Sequence, residues 1–263
     1  MEDRRLEAFA RLLDIMDELR VKCPWDRKQT FQSLRNNTIE ETYELADAIA
    51  DNDMESIREE LGDLLLHVVF YSKLGDEQNA FDIGDVANAI CDKLIYRHPH
   101  VFADVHADTP DEVMQNWEQL KLKEKHKKKG VLGGVPRSLP AMVKAFRIGE
   151  KAASAGFDWE KKEDVWAKVK EEIGEVQQEM DRAGSASFDR EKLQEEFGDL
   201  FFAMINAARL YHVDPELALE HSNKKFIRRF GYIEDRAQAE GKPLGSMTLD
   251  EMEALWQEAK KSE

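Results

Sequence analysis

Apolar positions recur every three or four residues along most of this chain, the spacing of helices that bury one face. Residues 4–20 place Leu6, Phe9, Leu12, Leu13 and Met16 on such a face. The same reading predicts helices near 38–51, 54–75, 82–97 and 110–128, then near 139–154, 161–182, 189–212, 214–240 and 248–261. Breakers punctuate the pattern at Cys23-Pro24-Trp25-Asp26, at His98-Pro99-His100 and in the run GVLGGVPRSLP, which reads as a linker. Alternating strand pattern is scarce and only 14 Gly and 7 Pro occur in 263 residues, so the fold class is all-α.

The helices come in two sets. EELGDLL around Glu60 and Asp63 returns as EEFGDLF around Glu196 and Asp199. Further pairs follow in order: Trp25 with Trp159, Glu41 with Glu172, Lys93 and Arg97 with Lys225 and Arg229, and Trp117 with Trp256. The offsets stay between 131 and 139 residues, so the chain holds tandem copies over about 5–125 and 138–263. The expected organisation is a first helical-bundle domain over 1–129, a linker over 130–138 and a second bundle over 139–263. Each is long enough to bury its own core.

Four carboxylates stand out in the second copy. Glu172 and Glu175 lie three apart in one predicted helix, Glu196 and Asp199 three apart in the next, and residues three apart share a helix face. Leu193, Phe197, Leu200, Phe201, Met204 and Ile205 make the second of these helices apolar nearly all round, so it is expected to be buried with its acids at the middle. Gly184-Ser185-Ala186-Ser187 gives the turn that sets the two antiparallel. Buried carboxylates are costly without a cation, and an all-oxygen set suits Mg²⁺ or Mn²⁺ rather than zinc or copper. The first copy repeats the set as Glu41, Glu44, Glu60 and Asp63. Gly62 and Gly198, inside these helices, are expected to mark close helix approach. A di-iron carboxylate bundle would need Glu-x-x-His, and no Glu here has His three residues later. His98, His100 and His106 read as a loop rather than a metal site.

Charge narrows the partners. A net charge of −16 excludes a basic nucleic-acid surface and means that an anionic substrate must be met by metal and by local Lys or Arg. Lys125, Lys127, Lys128 and Lys129 read as a solvated helix end. Cys23 and Cys91 form no disulfide framework and suit a reducing compartment. With no apolar leader and no membrane-length apolar run, a cytoplasmic protein without membrane association is expected.

Glu40-Glu41-x-x-Glu44 with Glu60-x-x-Asp63, and Glu171-Glu172-x-x-Glu175 with Glu196-x-x-Asp199, resemble the MazG signature. The tandem copies, the Trp25-Asp26 and Trp159-Glu160 segments, HPHVF and KFIRRF extend the resemblance to full-length bacterial MazG proteins over nearly the whole chain. It implies a helical-bundle homodimer that uses Mg²⁺ to cleave NTPs and dNTPs to monophosphate and pyrophosphate.

The residues around the acids separate the copies. Lys168 and Lys192 lie one turn before Glu172 and Glu196, whereas the first copy has Asn37 and Ser56 there. Arg228 joins Lys225 and Arg229 where the first copy has Tyr96. These five cations are candidates for binding the triphosphate, and they point to the second copy as catalytic and the first as structural or regulatory. Glu171 or Glu195 is placed to orient or deprotonate the attacking water. Trp256 reads equally as a base-stacking platform, which would give broad base tolerance, or as a core anchor. A non-catalytic scaffold that senses nucleotides or docks a partner is the alternative, most credible for the first copy.

Overall fold

The structure is a computed structural model describing residues 3–103, 105–109, 112–113, 116–117, 120, 130–184 and 188–262. It contains ten α-helices and no strand among the described residues. Two compact units divide the chain, Met1–Lys121 and Leu122–Glu263.

In the first unit α1 (Arg4–Lys22), α2 (Phe31–Ala50), α3 (Met54–Glu77) and α4 (Ile83–Arg97) precede a single turn, α5 (Pro99–Phe102). Each long helix starts where its sequence provides a cap. Asp3, Thr30, Asp53 and Asp82 accept from backbone N–H groups of the first turn, satisfying donors that have no partner within the helix. The Thr30–Ser33 capping box starts α2 at Phe31 rather than near residue 38. α3 is the central element: α1, α2 and α4 all pack on it. Met16, Leu34, Val69, Phe70 and Leu74 form the core, each such side chain contributing about 1.5–3 kcal/mol through burial. Arg20 with Glu77 at 2.7 Å and Lys73 with Asp17 at 2.7 Å fasten α1 along α3. The expected helix near 110–128 and its lysines lie largely outside the described residues; Trp117 is described, half-buried beneath the Arg97 guanidinium at 5.2 Å.

The second unit holds α6 (Ala141–Ser154), α7 (Val165–Asp181), α8 (Arg190–Leu210), α9 (Pro215–Ala239) and α10 (Leu249–Lys261). α7 packs along α8, α6 lies on α8, and α10 lies on α9. Val165, Val169, Ala203 and Ala207 form the buried seam, with Trp159, Leu200 and Leu210 against it. Small residues suit close approach, and at Gly149 a side-chain carbon would collide with Asn206 Oδ1 and Arg209 of α8. Asp158 accepts two hydrogen bonds from Arg209, at 2.6 and 3.0 Å, tying the connection between α6 and α7 to the end of α8.

Two expectations fail here. α8 is not buried all round: Phe201 is 59% and Met204 50% exposed within the chain. Gly62 and Gly198 mark no close approach, since an added side-chain carbon would meet nothing within 4 Å at either. The single chain provides no packing reason for these two glycines.

Candidate active site

In the second unit the acids converge across the α7–α8 pair. One carboxylate oxygen from each of Glu172, Glu175 and Glu196 lies within 4.8 Å of the others. Glu172 is 4% exposed, and its Oε2 is buried without a hydrogen-bond partner. A buried, unpartnered carboxylate oxygen facing two further carboxylates suits a hard divalent cation. The Glu175 carboxyl is raised above its ordinary value by its hydrogen bond with Glu172, by burial and by the charges of Glu172 and Glu196. Asp199, expected as the fourth member, is exposed on α8 and outside this group.

Lys168, one turn before Glu172 on α7, brings its Nζ to 2.6 Å from Glu172 Oε1 and 2.9 Å from Glu171 Oε1. Both carboxylates strengthen the hold of Lys168 on its proton. Lys168 therefore stands at the cluster, and Glu171 faces this ammonium. Glu195 is exposed on α8.

Lys192 does not point to the three acids. Its Nζ lies 2.7 Å from Glu179 Oε1, an oxygen that also accepts from Arg182 NH1 at 2.6 Å. Neither Glu179 nor Arg182 stood out in sequence, although Glu179 follows Glu175 by one turn on the same face of α7. The contact between residues 179 and 192, beside the convergence of Glu175 with Glu196, also establishes that α7 and α8 run antiparallel.

The remaining predicted residues lie on α9 and α10. Trp256 is half-buried, its ring 5.0 Å from that of Phe226 and 5.5 Å from the Arg229 guanidinium. Arg228 and Arg229 line an open cleft with Tyr232, Asp235 and Ser262, and Lys225 is exposed.

The first unit gathers a different trio, Glu41, Glu60 and Asp63, again within 4.8 Å. Burial and the neighbouring charges of Asp63, Glu44 and Glu60 push the Glu41 carboxyl up to about 7. Glu44 is hydrogen-bonded to Glu41 but stands outside the trio. Beneath it, Thr38 Oγ1 and Tyr71 OH share a hydrogen bond of 2.7 Å, and the buried His67 ring packs edge-on against Tyr71. The His98 and His100 rings lie 5.7 Å apart, tilted at 57°, and, like His106, belong to neither carboxylate group.

Two tandem helical units, each with carboxylates converging across a pair of antiparallel helices, define a duplicated helical protein with one acidic cluster in each copy. The MazG nucleotide pyrophosphohydrolase domain matches residues 29–102 and again 160–232. The chain belongs to this family. It is 46% identical over 258 residues to the nucleoside triphosphate pyrophosphohydrolase of Escherichia coli (strain K12), spanning 96% of this chain and 97% of that protein. It is 40% identical over 255 residues to the nucleoside triphosphate pyrophosphohydrolase/pyrophosphatase MazG of Thermotoga maritima, spanning 96% and 95%. YabN of Bacillus subtilis, an uncharacterized protein, matches at 45% over 97% of this chain but 52% of its own length.

Proposed function

We propose that the second unit hydrolyses nucleoside triphosphates, NTPs and dNTPs alike, to the monophosphate and pyrophosphate, with Mg²⁺ (or Mn²⁺) held by Glu172, Glu175 and Glu196. The observation that carries this reading is the buried, unpartnered Glu172 oxygen facing two more carboxylates, with the Lys168 ammonium alongside. Family membership and relatives named for this activity support the reaction class. When bound, the cation supplies an acidified water and neutralisation of phosphate charge.

The protein's own groups then have distinct tasks. Lys168 offsets the negative charge of a polyphosphate brought against three acids. Glu195, exposed and adjacent to Glu196, or Glu171 takes the proton of the attacking water. The water oxygen bonds to the α-phosphorus, the bond from that phosphorus to the α–β bridging oxygen breaks, and pyrophosphate leaves with the electron pair. Lys225, Arg228 and Arg229 supply further positive charge from α9. Trp256 stacks on the base, which every nucleobase permits, so base tolerance is broad.

The active protein is a homodimer. Leu61, Tyr43, Phe201 and Met204, on the acidic helix pairs, are each at least half exposed, and a second copy of the chain would cover them. Free Cys23 and Cys91 and a nucleotide substrate suit the cytoplasm. No described helix is long and apolar enough to cross a membrane.

A panel of NTPs and dNTPs incubated with Mg²⁺ and scored for pyrophosphate against orthophosphate tests the reaction. Pyrophosphate from several bases is expected, abolished by chelation and restored by Mg²⁺ or Mn²⁺. Orthophosphate as sole product, or silence with every nucleotide, would point instead to an ordinary ATPase or to a scaffold.

A further inference from the structure

Glu179 is 3% exposed, one oxygen shared by Lys192 and Arg182 and the other, Oε2, buried without a partner. Packing does not require this charge. The corresponding position of the first copy is Ala48, which is equally interior at 6% exposure, and Asp51 and Ser56 stand where the second has Arg182 and Lys192. The α2–α3 pair therefore forms without the triad. Nor is stability a sufficient reason, because a buried ion pair is rarely better than a well-packed apolar side chain.

Geometry supplies a reason. Lys192 lies one turn before Glu196 on α8, and Glu179 one turn after Glu175 on α7. The triad therefore closes one end of the carboxylate group, while Lys168 sits one turn to the other side of it. Two cations share one carboxylate at this end. A lysine side chain is long and loses much rotamer freedom when ordered; Glu179 orders it before substrate arrives.

We propose that Glu179 is a positioning residue, holding Lys192 together with Arg182 as a fixed cationic end to the carboxylate group, for the phosphate chain of the substrate. The inference rests on the hydrolase reading above. Glu179 touches no reacting atom; it acts through Lys192.

The test uses the full-length chain. Wild-type pyrophosphate release is measured first; its absence removes the hydrolase reading and this inference with it. In Glu179→Gln, kcat is expected to fall about 10- to 100-fold, as for partners that orient functional groups from behind. KM and Mn²⁺ binding measured by calorimetry should stay near wild type. Lys192→Met should show the same loss, and adding Glu179→Gln to it should cost nothing further. Full kcat in Glu179→Gln with only a lowered melting temperature overturns the proposal, as does a double variant whose losses multiply. If Glu179→Gln does not fold, the double variant Glu179→Ala, Lys192→Ser takes the residues that already pack at these two positions in the first unit. It should bind Mn²⁺ and turn over no more slowly than Lys192→Ser alone; a clearly larger loss counts against the proposal.

Discussion

Asp53 and Asp189 cap the second acidic helix of each unit in the same way, accepting backbone N–H groups two and three residues on. The side chain three residues on is used differently. Ser56 turns back to Asp53, its hydroxyl donating at 2.8 Å, whereas Lys192 crosses to Glu179 on the facing helix. One turn before the first acid the contrast recurs, Asn37 against Lys168. Inside, the first unit stacks Thr38, His67 and Tyr71 where the second has Val169, Ala203 and Ala207. Even the converging acids differ: Asp63 joins in the first unit and Glu175 in the second. One backbone plan can thus keep its carboxylates while the side chains beside them are cationic in the second unit and neutral in the first. The raised Glu41 carboxyl, pressed by burial and by acids, is the electrostatic result.

The largest expected effect comes from making the second unit resemble the first. Lys168→Asn with Lys192→Ser should lower kcat/KM by about 10²–10³-fold, the range for losing donors that meet developing charge, while calorimetry still finds Mn²⁺ bound. Normal hydrolysis in this variant would erase the functional distinction between the copies.

A smaller effect concerns Trp256. Its contacts with Phe226 and Arg229 leave it half-buried, with part of the residue still accessible. Trp256→Ala should raise KM for purine and pyrimidine triphosphates alike, by about 1–3 kcal/mol of lost stacking. A collapse of the circular dichroism signal, without a selective kinetic defect, would make it a core anchor.

The smallest effect sharpens the contrast in the cores. Burial lowers the His67 pKa, opposed by Asp63 one turn away. The unfolded chain therefore binds more protons once pH drops below about 6.5. Stability from neutral His67 is full above that value and is lost as pH falls through the folded-state value. With Glu41, which titrates in the same range and in the opposite sense, replaced by Gln, hydrogen exchange should show α2–α3 loosening on acidification, and α7–α8, with Ala203 at this position, holding. Equal loosening of both pairs, or its persistence in His67→Gln, would contradict this.

Much of this was legible in the sequence because it rests on local periodicity. The apolar spacing locates the helices, and the duplicated acids locate the two helix pairs. The start of α2 was missed because its signal is the Thr30–Ser33 cap, which precedes any apolar stripe. Burial of α8 was overestimated because periodicity records apolar side chains and not what covers Phe201 and Met204. The Lys192–Glu179 pairing was invisible for a different reason: spacing places Lys192 on the face of Glu196, but only the register between helices shows which acid across the gap it meets.

The central claim is that turnover belongs to the second unit, and the matched pair Glu172→Ala and Glu41→Ala tests it most directly. Pyrophosphate release from one NTP should be measured for both full-length variants, each checked for folding by circular dichroism. Glu172→Ala removes the buried member of the trio and should lose at least about 10²-fold of activity. Glu41→Ala, in the copy with Asn37 and Ser56, should stay within a few-fold of wild type. A folded Glu41→Ala protein as inactive as Glu172→Ala would contradict the account.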